Sequence, residues 1–364
     1  MSASSSPVRV GVLAPLSRPG WVEAGRHLLA GVELAAADVA AVGGVGGRPL
    51  ELLVRDTAAD PRRAEAALDE LDSLGVAAVV GEYHSVVARA AAARADALRL
   101  PFLCASAVLD ALTDEPTEWV ARLSPPQSRG WRIYAHALLA AGHRQLAVAG
   151  QPGEYWASGV RVLRKALDPH GGTLAWFDAD AHSPEDLCDR LAGQPATALL
   201  LLTGFPEPAV PIVRAVRRDV RLADVLVGAP AGQPEFAMWA DALGGDGAGV
   251  PFLRHLPERL TPLGERVAAA LRARRGGEPS FVAYEGYDAL TVLADALRAH
   301  GTDRSRVAAA WPHVAVEGTR GTVRFSRVPG IGVWQWAGPP VQVVDRDPAA
   351  PGSFRVLRGK PQAE

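Results

Sequence analysis

Ala198-Leu199-Leu200-Leu201-Leu202 has no polar residue on either face of the strand it predicts. A strand that exposes one face to water alternates apolar and polar residues, so an unbroken aliphatic run implies burial on both faces. Parallel strands covered by helices on both sides meet that condition. Working outward, similar short runs at 146–150, 173–177 and 225–228 flank it, separated by stretches of helical period. A second series lies upstream, with strands at 8–14, 50–55, 76–81 and 101–104 and helices near 23–41, 61–74 and 86–98. In the helix at 61–74, Ala64, Ala67, Leu68, Leu71 and Leu74 form one apolar stripe, which predicts packing on a sheet. Alternating strands and helices of this kind predict an α/β fold of doubly wound parallel sheets.

The chain holds 364 residues, enough for two such domains at roughly 100 to 200 residues each. Ser124-Pro125-Pro126 marks the passage between them, because paired prolines continue neither helix nor strand. After the glycine-rich stretch 244–249, a strand at 250–253 leads into helices near 259–275 and 281–299 that have no strands of their own. They are expected to complete the first domain. A last crossing is placed near Ser326, followed by strands at 332–336 and 341–344. The predicted lobes are residues 1–123 with 253–326, and residues 124–252 with 327–364. Two lobes joined by several crossings predict a hinge, with a ligand held in the cleft between them.

Composition narrows the function. With 48% hydrophobic and 21% charged residues and a net charge of −2, the chain is neither a basic nucleic-acid binder nor a disordered segment. Cys104 and Cys188 cannot form a disulfide framework or a paired-cysteine metal site. No phosphate-binding loop is present, and Gly43-Gly44-Val45-Gly46-Gly47 follows a helix instead of opening one. His84 and Ser85 adjoin on a turn without the surroundings of a hydrolase nucleophile. His136 and His143 read as surface positions of one helix, and Asp110, Asp114, Glu115 and Glu118 as a solvated loop. No catalytic constellation, metal site or cofactor is expected.

Ligands of open α/β sheets sit beyond the carboxyl ends of the strands. After the third strand, Tyr83 and His84 precede Ser85, which is placed to cap the next helix, whose free N-terminal backbone N–H groups can hold a carboxylate or an amide oxygen. After the fourth, Cys104-Ala105-Ser106-Ala107 is small enough for close backbone approach. In the second series, Tyr155 follows the first strand and Phe205 the third.

These residues carry a resemblance. Val8-Arg9-Val10-Gly11-Val12-Leu13-Ala14-Pro15-Leu16-Ser17, Gly31-Val32-Glu33-Leu34-Ala35-Ala36-Ala37-Asp38, Gly43 to Leu52, Asp56 with Asp60-Pro61, and Gly81 with Ser85 occur in an order found elsewhere. With Pro279 to Tyr284, Tyr287-Asp288-Ala289 and Gly318 to Phe325, they resemble the branched-chain amino acid and amide-binding branch of type I periplasmic solute-binding proteins. The resemblance implies non-catalytic binding of a small amino acid, amide or carboxylate. It gives Ser85 the ligand's carboxylate or amide and places Tyr83 and His84 at the pocket. Ser106 and Ala107 supply a ligand-binding loop, Tyr155 and Phe205 the second lobe's aromatic residues, and Trp21 a cover over the ligand's side chain.

Two departures bear on the ligand. Val108 stands where a hydroxyl is usual, and Gly228-Ala229-Pro230-Ala231 lacks the acid that pairs with an α-ammonium. A buried ammonium without a counter-charge costs several kcal/mol. Either Glu154, Glu235 or Glu285 supplies that charge, or the ligand is an amide, an amine-free carboxylate or an aromatic acid. Two roles stay open: solute receptor of an ABC-type importer, working with a membrane permease, or cytosolic sensor acting on a regulatory protein. Residues 1–7 lack the features of an export signal, so the expected location is cytoplasmic, or the cell envelope if a signal was trimmed. A homodimer through the first lobe is also compatible with the resemblance.

Overall fold

The computed structural model describes residues 6–357. Strand and helix alternate first as β1 (Val8–Ala14), α1 (Val22–Ala41), β2 (Leu50–Asp56), α2 (Pro61–Ser73), β3 (Ala78–Gly81), α3 (Ser85–Ala97), β4 (Phe102–Cys104) and β5 (Val120–Arg122). A second series follows: α4 (Gln127–Ala140), β6 (Gln145–Gly150), α5 (Glu154–Leu167), β7 (Thr173–Asp178), α6 (Pro184–Ala192), β8 (Ala198–Leu202), α7 (Ala209–Arg218), β9 (Leu226–Gly228), α8 (Ala237–Leu243) and β10 (Phe252–Arg254). Then come α9 (Pro262–Arg275), α10 (Phe281–His300), α11 (Arg304–Ala309), β11 (Val316–Gly318), β12 (Gly321–Val323), β13 (Phe325–Ser326) and β14 (Trp334–Trp336), and finally β15 (Gln342–Asp347) and β16 (Ala350–Val356).

The chain forms two compact units, Met1–Pro126 with His255–Pro340 and Gln127–Arg254 with Val341–Glu364. The first is built on a seven-stranded sheet ordered β13-β14-β5-β4-β3-β1-β2, parallel except where β13 meets β14. The second holds a parallel four-stranded sheet, β7-β6-β8-β9, and a separate antiparallel sheet, β10-β15-β16. The expected α/β class with parallel sheets is therefore the one adopted, and every residue of β8 is buried.

Local chemistry explains the elements. Asp60 caps α2 by accepting from the backbone N–H of Arg62 at 2.8 Å, and Pro61 fills the first turn, where its missing N–H costs nothing. α1 and α10 approach closely because Gly31 and Gly286 carry no side chain. A Cβ on Gly31 would lie 1.8 Å from the Ala283 carbonyl oxygen.

Three expectations need correction. The last crossing falls after Pro340, not near Ser326, because β14 pairs in parallel with β5 and so belongs to the first unit. The short β5, unread in the sequence, completes that sheet. Leu74 ends the helix that its stripe defines and is 37% exposed, so the buried stripe stops at Leu71. His143 lies beyond the end of α4, so it does not share a helix with His136.

Candidate functional site

In the first unit, β3 ends at Gly81, whose φ of +134° suits glycine and whose Cβ would meet the Leu13 carbonyl oxygen of β1 at 2.2 Å. The next residue, Glu82, is fully buried, a feature sequence reasoning missed. Its carboxyl accepts from Thr57 Oγ1 at 2.8 Å and from the His84 backbone N–H at 2.9 Å. Burial nonetheless pushes it up to about 7.

The turn then brings three expected residues together. The Trp21 and Tyr83 rings meet edge to face at 5.9 Å, and those of Tyr83 and His84 at 5.2 Å. His84 Nε2 accepts from the Trp21 backbone N–H at 3.0 Å, which assigns the ring proton to Nδ1. Burial pulls this imidazole down to about 4, so it is neutral near pH 7. The loop leading to Trp21 is tied to β2 by Asp56, which accepts from the Leu16 and Ala58 backbone N–H groups at 2.7 and 2.9 Å and from Ser17 Oγ at 2.5 Å. Partial burial opposes ionisation of Asp56, yet these hydrogen bonds hold it below the usual carboxylate range.

Ser85 is not the cap of α3. It is the first helical residue, with His84 at the capping position and no side-chain cap bond. Its Oγ accepts instead from the backbone N–H groups of Val108 and Leu109, at 3.1 and 3.2 Å. That bond also gives Val108 a place at the site through its main chain. A hydroxyl has two acceptor positions and one proton, so Ser85 has only its proton left to offer.

Ser106 is buried and donates to Glu285 in α10. Ala107 beside it is buried in the apolar core under the loop. Glu285 also accepts from Ser124 Oγ at 3.0 Å and from Arg320 Nη1 at 3.3 Å, and lies 3.2 Å from His255 Nδ1. Arg320 in turn donates through Nε to Asp288 at 2.9 Å. Glu285 is thus fully engaged, which removes it as the expected partner of a ligand ammonium. In the solvated loop, Asp114 and Glu118 form exposed ion pairs with Arg89 and Arg327.

In the second unit, Tyr155 lies in the first turn of α5, its ring 5.8 Å from Trp131 and 4.8 Å from Trp156. Phe205 packs on Trp239 at 5.7 Å. Gln151 accepts from the Gly204 backbone N–H at 2.7 Å, and Gln233 donates to the Thr203 carbonyl at 3.1 Å, so the loops after β6, β8 and β9 are laced together. Pro230 is buried and Ala231 partly so on the loop after β9. Glu235 beyond them is paired with Arg254 at 2.9 Å and is no free counter-charge either. A concavity of about 590 Å³ in this unit, lined in part by α4, β15 and β16, contains none of the expected ligand-binding residues.

Among the described residues, no three His, Cys, Asp or Glu side chains converge to hold a metal ion, and no helix is long and apolar enough to cross a membrane. Both cysteines are buried and free.

None of the curated proteins compared with the chain matches it. Solved structures do. The chain resembles a leucine-binding protein from Thermotoga maritima, with a TM-score of 0.80 and 20% identity over 96% of this chain and 97% of that one. It is similar to a branched-chain amino acid transporter substrate-binding protein from Streptococcus pneumoniae, in complex with isoleucine, with a TM-score of 0.81 and 18% identity over 96% and 99% of the two chains. A Rhodopseudomonas palustris ABC-transporter solute-binding protein, in complex with benzoate, matches with a TM-score of 0.81 and 18% identity over 97% and 96%. The profile of the family described as periplasmic binding protein matches residues 7–333. The chain, with its two parallel sheets and residues 7–333 matched, belongs to the type I periplasmic binding protein family.

Proposed function

We propose that this protein binds, without transforming it, a small carboxylate or amide that carries no ammonium group, as the solute-binding component of an ABC-type importer. The observation that carries this reading is the Ser85 hydroxyl. Val108 and Leu109 take both of its acceptor positions, so it can only donate, and the ligand atom it meets must be an acceptor oxygen. The edge-to-face pair of Trp21 and Tyr83 beside it suits an apolar or aromatic body.

Absence of an ammonium is supported by the state of the acids that the sequence offered as its partner. The loop at 228–231 has none, Glu235 and Glu285 are paired with Arg254 and Arg320, and Glu154 is an exposed residue of the first turn of α5. An α-amino acid would leave its charge buried without a partner. The importer role is supported by family membership and by relatives that are ABC-transporter binding proteins, one of them holding benzoate.

Calorimetric titration with benzoate tests the placement. The wild type is expected to bind, and Ser85→Ala to bind 10- to 100-fold more weakly, as loss of a charge-assisted hydrogen bond worth roughly 1.5 to 3 kcal/mol requires. Equal affinity in the two proteins contradicts the assignment.

A further inference from the structure

Arg122, in β5, has no exposed surface. Its Nε donates to Gln335 Oε1 at 2.7 Å and its Nη1 to the Leu109 carbonyl at 2.5 Å, while its Nη2 is buried without a partner. No carboxylate is within ion-pair distance of it among the described residues. The other buried guanidinium of this unit, Arg320, differs in being shared by Glu285 and Asp288. A buried cation held only by neutral oxygens is costly, and burial pulls this guanidinium down to about 10, although it stays charged at neutral pH.

Its place is what gives the charge a use. Leu109 is gripped at both ends of its backbone, the N–H by Ser85 Oγ and the C=O by Arg122 Nη1. One residue therefore spans the distance from the guanidinium to the hydroxyl that donates to the ligand, a separation of less than about 10 Å. Two groups act on Arg122 through their charge. Asp110 acts on it through space without an ion pair, and Cys104 is a neutral thiol pushed up to about 11 by burial. Glu82, on the adjoining turn and pushed up to about 7, carries less than a full negative charge at neutral pH.

We infer that Arg122 is a specificity-determining residue: its buried, unpaired positive charge makes the Ser85 site prefer a carboxylate over the uncharged amide of the same shape. This rests on the proposed Ser85 site and narrows its ligand class. Arg122 does not touch the ligand and acts through the field it sets at the ligand oxygen. At about 10 Å in a partly desolvated site, one unit charge discriminates anion from neutral molecule by about tenfold.

The test compares benzoate with benzamide, which share a ring and differ in charge. Wild-type protein should bind benzoate about tenfold more tightly than benzamide. Arg122→Gln should erase that ratio by weakening benzoate while benzamide changes less than about twofold, and Arg122→Lys should restore most of it. A role confined to holding the loop lowers both affinities together and overturns the inference. So does wild-type protein that binds the two equally, a result needing no variant to fold. Ser85→Ala separates the two levels: if it weakens neither probe, the site itself is misplaced and the inference falls with it. If Ser85→Ala weakens both while Arg122→Gln leaves the ratio intact, the site stands and the role of Arg122 is wrong.

Discussion

The backbone N–H of Trp21 donates to Nε2 of His84 across 3.0 Å, joining the entry of α1 to the β3–α3 turn. The bond needs a neutral imidazole. With His84 held near 4 by burial, below its unfolded value of 6.5, its contribution to stability is fully present above pH 6.5 and lost as pH falls through 4. His84→Ala should lower stability by about 1 to 2 kcal/mol and speed hydrogen exchange at the Trp21 amide. An unchanged exchange rate there rules out the role given to this bond.

Ser85→Ala removes the proposed ligand donor and, at once, the acceptor of two backbone N–H groups. Folding should therefore not escape unharmed. Urea denaturation is expected to show a loss of about 1 to 2 kcal/mol, since two backbone N–H groups lose their acceptor in a partly buried setting. A variant as stable as wild type would show that these bonds do not hold the 105–110 loop.

Glu82 gives a pH signature. Its folded value of about 7 lies above its unfolded value of 4.5, so the native state binds the extra proton in that window and stability falls as pH rises through it. The full penalty, of order 3 kcal/mol, is present above pH 7 and absent below 4.5. His27 and His84, both pulled down to about 4, act in the opposite sense below pH 6.5, so the comparison must be made at each pH against Glu82→Gln. The variant's advantage should grow between pH 5 and 8. A constant gap means that Glu82 is ionised throughout.

Gly31→Ala sets helix propensity against packing. Alanine stabilises a helix interior by about 1 kcal/mol relative to glycine, but here its Cβ would lie 1.8 Å from the Ala283 carbonyl oxygen. The clash should win, with a net loss of about 2 kcal/mol in thermal or chemical denaturation. A stabilised variant would show that α1 and α10 can separate freely.

What could be read from sequence follows the range of the interactions. β8 was legible because five consecutive aliphatic residues leave few alternatives, and α2 because Asp60-Pro61 starts it locally. β5 was not, since a three-residue strand containing a buried arginine has no apolar signature. The late crossing was marked by Pro339-Pro340, the same cue as Pro125-Pro126, but β14 looks like any terminal strand until its pairing with β5 is seen. At the candidate site, Tyr83 and His84 stand out by their place after a strand, whereas Trp21 enters only through the resemblance. Ser85 reads as a helix cap because its two actual donors lie 23 and 24 residues away. Glu285 likewise read as a spare acid, although its partner Ser106 is 179 residues distant. Arg122 and Glu82 gave only a weak signal, a charged residue at the end of an apolar run.

The most direct test is whether the ligand carries an ammonium group. Thermal unfolding of the purified protein should be followed with leucine, with 4-methylpentanoate, which is leucine without its amine, and with benzoate, because a ligand that binds only the folded state raises the melting temperature by mass action. Stabilisation is expected from an amine-free acid, and little or none from leucine. Stabilisation by leucine above that of 4-methylpentanoate, or no shift with any of the three, would contradict the proposed ligand class.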